Sequence, residues 1–168
     1  MPVVLKSHNS TFSFGVKKAT TPTEYHELVS TMLKKSELVI AQEFSPSEYD
    51  WRIGILDNKP FYACRYYMAK GHWQIYNWDA KAKDDQDGNA DCLPIEKVPK
   101  KILEAALKSA KLMGKGLYGI DIKEVGGKPL VIEINDNPNI DFGVEDGYYG
   151  DQVYIDIISA LKERLEKK

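Results

Sequence analysis

Arginine, cysteine and long apolar runs are all scarce in this chain. Only Arg52, Arg65 and Arg164 stand among 23 basic residues, and 25 acidic residues bring the formal net charge to −2. Proteins that live on phosphate-backbone contacts carry a basic excess, so no nucleic-acid partner is expected. Apolar runs such as Leu38–Ala41 fall far short of the roughly 20 residues of a membrane span. No charged-then-apolar leader follows Met1, so neither export nor a membrane is expected. Cys64 and Cys92 have no metal spacing and make no disulfide framework, which reads as two reduced thiols and a cytoplasmic location.

What is present is ordinary: 43% apolar and 29% charged residues in a chain of 168. That length suits one domain or two small ones sharing a core, burying roughly 70% of the unfolded surface. Pro2–Lys6 reads as a strand, Ser7–Gly15 as a loop of small and hydroxyl residues, and residues 15–19 as a short strand. Thr21-Pro22-Thr23-Glu24 has the form of a capping box with proline in the first turn. Tyr25, Leu28, Val29, Met32 and Leu33 follow at helical spacing. After a strand over Leu38–Phe44, Ser45-Pro46-Ser47-Glu48 breaks the chain into a front unit, 1–45, and a rear unit, 46–168.

The rear unit opens with an antiparallel pair, Asp50–Leu56 and Phe61–Met68, joined by Asp57-Asn58-Lys59-Pro60, and a third strand is expected over His72–Trp78. Ala80–Asp91 is a polar loop. It does not fit a calcium-binding loop, because Gly88 in sixth place would put Lys83 first and Pro94 twelfth. A helix over Pro99–Met113, strands Leu117–Glu124 and Pro129–Asn135 around Gly126-Gly127, and a helix capped by Asp151 complete the reading. The last helix carries the stripe Val153, Tyr154, Ile157, Ile158, Leu161 and Leu165. The order of elements predicts an α+β, mostly antiparallel fold.

The informative stretch is Gly119-Ile120-Asp121-Ile122 followed by Glu133-Ile134-Asn135-Asp136-Asn137-Pro138. Strand residues two apart share a face, so Glu133 and Asn135 point the same way out of an apolar strand. A hard cation such as Mg²⁺ suits that pair, with Asp121 completing an oxygen set. The alternation fits a solvent-facing polar strand equally well. Parity adds a condition: a two-residue turn at Gly126-Gly127 would put Asp121 and Glu133 on opposite faces. A longer connection or a bulge is therefore expected around Val125–Lys128. Arg52 and Arg65 both fall on expected strands, where cross-strand salt bridges are one reading of them.

In order, Val4-Leu5-Lys6 before a Ser/Gly loop, Gln42-Glu43-Phe44, Asp50-Trp51-Arg52-Ile53, Arg65, Asn77, Gly119-Ile120-Asp121-Ile122 and Glu133-Ile134-Asn135 resemble the ATP-grasp superfamily. Within it they resemble the RimK-like carboxylate–amine ligases. The resemblance runs from Pro2 to about Leu165 and implies a truncated ATP-grasp fold, with a lid subdomain over 1–45 and a core subdomain over 46–168. It implies ATP and Mg²⁺ (or Mn²⁺) as cofactors. Lys6, Glu43, Phe44, Asp50 and Asn77 would bind nucleotide, Asp121, Glu133 and Asn135 metal, and Arg52 and Arg65 would serve the transferred phosphate.

The implied reaction joins an unidentified carboxylate to an unidentified amine through an acyl phosphate. One departure is Ile75, where the family carries an arginine two positions before the residue matching Asn77. The resemblance leads us to expect that the lobe preceding the lysine strand in the family is missing here. The alternative is thus a non-catalytic ATP-binding module that lacks the substrate-binding lobe or borrows it from a partner. Apolar surface left bare on Pro2–Lys6 and on the core sheet would favour a homo-oligomer.

Overall fold

The computed structural model describes residues 2–8 and 13–167; most of the loop expected over Ser7–Gly15 lies outside them. The front part contains strands β1 (Val3–Ser7), β2 (Val16–Ala19) and β3 (Val39–Glu43), paired antiparallel in the order β2–β1–β3. Helix α1 (Pro22–Leu33) packs on all three strands. It starts as its sequence dictates: the Glu24 N–H donates to the Thr21 hydroxyl at 3.2 Å, and the Glu24 carboxylate accepts from the Thr21 N–H at 3.3 Å. Alternation along β1 sends Leu5 inward while Val4 and Lys6 face the rest of the molecule.

The larger sheet is built from β4 (Tyr49–Leu56), β5 (Lys59–Tyr67), β6 (Ala90–Cys92), β7 (Leu117–Val125) and β8 (Lys128–Asn135). All neighbours are antiparallel, in the order β6–β5–β4–β7–β8. Helix α2 (Lys100–Met113) covers one face. There Trp51, Ile53 and Ile55 of β4 and Tyr118, Ile120 and Ile122 of β7 meet Ile102, Ala106 and Ala110. The other face is apolar only at the β5 end, where Tyr62, Cys64 and Tyr66 pack with Val144, Tyr149 and Val153. Tyr149 lies in α3 (Glu145–Tyr149) and Val153 in α4 (Gln152–Glu166).

Both long hairpins use one device. The turns Asp57-Asn58 and Gly126-Gly127 hold positive φ at both residues, 49° and 64° in the first and 55° and 74° in the second. That is the two-residue turn whose twist matches paired strands. Each hairpin then slips by one residue, at Phe61 in β5 and at Ile132 in β8. The slip in β8 is the bulge that parity requires, but it sits next to Asp121 rather than beside the turn. It restores Asp121 and Glu133 to directly opposite positions.

Several expectations are corrected. His72–Trp78 is no strand: it makes a single bridge, Tyr76 to Asp87, and its other backbone hydrogen bonds close local turns, His72 N–H to the Ala69 carbonyl and Ala69 N–H to the Gln74 carbonyl. Ala80–Asp91 holds a one-turn 3₁₀ helix over Lys83–Asp85 and the start of β6. Asp151 makes no side-chain cap, since its backbone is already helical at φ −63° and ψ −12°, whereas a capping residue is extended. Cys64 and Cys92 are directly opposed on β5 and β6, with Cα atoms 3.9 Å apart, and are joined as a disulfide rather than reduced. The pairing of β6, not the 28-residue separation, brings them together.

Exposed apolar surface lies only partly where expected, with Val125 and Leu130 of the larger sheet exposed. Val4 and Leu5 are buried, whereas Tyr154, Ile155, Ile158, Leu161 and Leu165 of α4 stand exposed. Among the described residues no helix is long and apolar enough to cross a membrane. The core predicts a contrast within α2. Ile102→Ala should cost roughly 2–5 kcal/mol in denaturant unfolding, whereas Leu112→Ala, at an 87% exposed position, should change stability by less than about 0.5 kcal/mol.

Candidate functional site

A cleft of about 300 Å³ lies between the two sheets. From the front sheet it receives Val4, Lys6, Val16 and Gln42; Glu43, Phe44 and Ser45 close one end; and the core sheet supplies Asp50, Arg52, Tyr66, Asp121, Lys123 and Glu133. Asn135, Asn137, Pro138 and Asp141 line the far wall.

The floor follows from alternation in two neighbouring strands. Odd residues of β4 and even residues of β7 point to α2, so Asp50, Arg52, Asp121 and Lys123 share the cleft face. Arg52 and Asp121 are direct cross-strand partners. Arg52 Nε and Nη2 each donate to one oxygen of Asp121, in a bidentate pair. One step along, Lys123 Nζ donates at 2.6 Å both to Asp50 Oδ1 and to Ser47 Oγ, and Ser47 donates to the same carboxylate oxygen at 2.9 Å. Burial works against the charge on Arg52, and Asp121 more than restores it, so the guanidinium is held above its ordinary range. Burial lifts the Asp121 carboxyl to about 6 against the pull of Arg52, with Glu133 and Asp50 adding to the rise.

The slip at Ile132 brings Glu133 opposite Asp121, and Asn135 joins them. The Asn135 amide donates to Glu133 Oε1 at 3.2 Å and to Asp121 Oδ2 at 3.4 Å. Among the described residues no three His, Cys, Asp or Glu side chains form a metal cluster. The set is two carboxylates and one amide, all able to offer oxygen. Arg52 occupies one lone pair on each Asp121 oxygen and the Asn135 amide a second on Oδ2, which leaves one on Oδ1. Such a set fits Mg²⁺, which takes one or two carboxylates and leaves its remaining positions to water and phosphate. Gly119 is required here: a Cβ on it would come within 2.7 Å of Pro138 and 3.2 Å of Arg52 Cδ. The proline of the Asn-Asp-Asn-Pro loop is thereby seated against β7.

The cleft gathers Lys6, Glu43, Phe44, Asp50, Arg52, Asp121, Glu133 and Asn135. Lys6 has no ion-pair partner among the described residues, unlike Arg52 and Lys123. Two residues fall elsewhere. Arg65 stands opposite Trp51, and Cys64 opposite Arg52, which puts Arg65 on the other face of the sheet. There it pairs with Asp91 and lies over the rings of Tyr49 and Tyr67. Its cross-strand alternative is the one realised. Asn77 lines a neighbouring hollow with Phe14, Lys17, His72 and Trp78.

Sequence reasoning missed Lys123, Tyr66, Trp73 and Asp141. The first was within reach, since it lies two residues beyond Asp121 on the same strand face. The others depend on packing. Phe14 stacks on Trp78 with centroids 4.7 Å apart, and Lys18 Nζ stands 4.5 Å from the Phe44 ring and 4.9 Å from the Trp73 ring, tying the front sheet to the core.

The Asp50–Lys123 pair is only 14% exposed on each side, so breaking it leaves a nearly buried charge. Lys123→Met should cost about 3–5 kcal/mol in chemical unfolding. Adding Asp50→Leu should recover most of that loss, and a simple sum of the two single costs would contradict the pairing.

The family model described as D-ala D-ala ligase C-terminus matches residues 1–141. A probable alpha-L-glutamate ligase of Shewanella halifaxensis is 27% identical over 169 residues, covering 99% of this chain and 33% of the relative. One of Vibrio atlanticus is 25% identical over 146 residues, covering 86% of this chain and 45% of the relative. The chain therefore spans a third to a half of these relatives. Among solved structures, D-alanine–D-alanine ligase of Bacillus anthracis superposes with a TM-score of 0.75 at 19% identity, over 100% of this chain and 57% of that one. The same ligase complexed with ATP gives 0.72 at 18%, over 100% and 56%. The ATP-grasp ligase PsnB, complexed with minimal precursor, Mg and ADP, gives 0.61 at 15%, over 95% and 47%. A two-sheet fold with its cleft, and a family model covering most of the chain, lead to one conclusion: this chain belongs to the D-ala D-ala ligase C-terminus family of ATP-grasp ligases, with RimK-like relatives.

Proposed function

We propose that the chain is the ATP- and Mg²⁺-binding part of a ligase that joins a carboxylate to an amine through an acyl phosphate. The observation that carries this reading is the convergence of Lys6, Asp50, Arg52, Asp121, Glu133 and Asn135 on one cleft between two sheets. In this reading residues 1–45 act as the lid and 46–168 as the core, and Glu43 and Phe44 at their junction flank the base. Lys6, the cation with no carboxylate partner among the described residues, takes phosphate. Asp121, Glu133 and Asn135 hold the metal, which when bound neutralises phosphate charge and polarises the γ-phosphorus for attack.

The substrate carboxylate oxygen attacks the γ-phosphorus and the bond to ADP breaks. The amine nitrogen then attacks the acyl carbon, phosphate leaves, and the amine loses a proton. Arg52, fixed by Asp121, is a preorganised positive charge beside the developing acyl phosphate. Arg65 lies on the opposite face, so Arg52 carries that role alone in this proposal.

One observation favours a narrower second reading, a module that binds ATP and relies on other surfaces for the acid. Two of the three cleft cations, Arg52 and Lys123, are already paired with Asp121 and Asp50. No unpaired cation beyond Lys6 remains in the cleft, among the described residues, to receive a substrate carboxylate. Adenosine diphosphate release with candidate acids and amines separates the two readings.

ATP should stabilise the chain only with Mg²⁺ or Mn²⁺ present, by about 2.7 kcal/mol at 100 times the dissociation constant. A thermal melt indifferent to millimolar ATP and Mg²⁺ removes the nucleotide reading. The lifted Asp121 carboxyl sets the pH dependence. Below about 6 it holds a proton that a cation must displace, so metal-dependent ATP affinity should fall as pH drops from 7 to 5. Titration calorimetry across that range should show proton release increasing as affinity falls; a flat profile would place the metal elsewhere.

A further inference from the structure

Glu145 is the one fully buried charged side chain among the described residues, at 0% exposure. It makes no ion pair among them. Its Oε2 accepts from the Asp141 N–H at 2.9 Å, and its Oε1 lies 2.8 Å from the Tyr66 hydroxyl. The same hydroxyl lies 2.9 Å from Asp141 Oδ2.

Three oxygens thus stand in a row, Glu145 Oε1, Tyr66 Oη and Asp141 Oδ2, joined by two short contacts. Each contact needs a proton, and the phenol supplies one. With both carboxyls ionised, one contact would be a bare meeting of lone pairs beside a buried, uncompensated charge. A second proton satisfies the row.

We propose that Glu145 is a positioning residue that holds this second proton: its neutral carboxyl donates to Tyr66, and Tyr66 donates to an ionised Asp141 on the cleft wall. The consequence reaches the floor of the cleft, because the Arg52 guanidinium stands 5.4 Å from the centre of the Tyr66 ring. Glu145 fixes the phenol, the phenol fixes Asp141, and its ring supports the arginine that clamps Asp121. Part of the role rests on the proposed nucleotide reading; the proton itself does not.

The surroundings favour the neutral form. The titratable groups facing Glu145 are acids: Tyr62 and Tyr66 from β5, Tyr76 from the segment after it, Asp141 from the loop before α3, Tyr149 of α3 and Tyr154 of α4. Arg52, across the Tyr66 ring, is bonded to Asp121. Burial raises the proton affinity of Glu145 above that of an ordinary carboxyl, and Asp141 adds to the rise while its hydrogen bonds lower it.

E145Q is the decisive variant, because an amide is neutral and can donate to Tyr66 as the acid does. A carboxyl that keeps its proton on folding but loses it on unfolding makes the native state weaker as pH rises above its ordinary value of 4.5. The folding constant of the wild type relative to E145Q should therefore fall up to tenfold per pH unit between pH 5 and 7 while the native proton is kept. An infrared band of a protonated carboxyl at pH 7, absent in E145Q, should accompany it. A constant ratio across that range and no such band would show an ionised Glu145 and overturn the proposal.

The positioning role has its own readout. Mg²⁺-ATP affinity should drop at least tenfold in E145A and be restored within threefold in E145Q. Equal losses in both would overturn the positioning role. Should E145A fail to fold, Y66F, which keeps the ring beneath Arg52, replaces it: the protonated-carboxyl band should shift, and an unmoved band would overturn the shared row. If the wild type binds no nucleotide, the nucleotide reading fails while the proton measurement still decides for or against Glu145.

Discussion

The register between β4 and β7 is the constraint on which the site depends. It sets Arg52 opposite Asp121 and brings Lys123 beside Asp50, so opposite charges alternate across two strands at the centre of the larger sheet. A one-residue slip of β7 there would turn Asp121 and Lys123 into the apolar layer under α2, away from Arg52 and Asp50. The same register holds Ile53 and Ile120 against that helix. Core and cleft floor are thus two faces of one pairing, and the apolar face fixes the charged one.

Charges at this depth do not stabilise the fold cheaply. Taking ions from water costs several kcal/mol each, and a partner only offsets that cost. What the arrangement supplies is rigidity: a bidentate guanidinium–carboxylate pair has one geometry. Asp121 is therefore presented to the cleft at a set angle before any ligand arrives. Gly119 lets Arg52 and Pro138 close over the strand, and Tyr66 supports the arginine from the side. Reaching that state in advance is the kind of preorganisation that charge stabilisation in a reaction requires.

The front sheet is held differently. Its helix buries no residue completely, and its links to the core are side-chain contacts: Phe14 on Trp78 and Lys18 over Phe44 and Trp73. Such contacts contribute about a kcal/mol each, much less than a packed core. A part joined this way can move against the core at low cost, which is what covering and releasing a nucleotide would need.

Much of this was legible in the chain itself. Helix periodicity, the capping box at Thr21 and the alternation in the strands depend on neighbours a few residues apart, so the sequence determined them. The Glu133 and Asn135 pair was visible because polar groups in an apolar strand need a reason. Parity even required a longer connection or a bulge between Asp121 and Glu133. Tertiary structure decided the rest. The bulge sits at Ile132, beside the site rather than the turn. Arg65 turned away because the β4–β5 register puts it behind Trp51. The disulfide came from β6, a three-residue strand too short to carry a pattern. The row linking Glu145, Tyr66 and Asp141 joins residues up to 79 positions apart. A separation of that size leaves no local trace, because only the packing of α3 against β5 brings those oxygens within reach of one another.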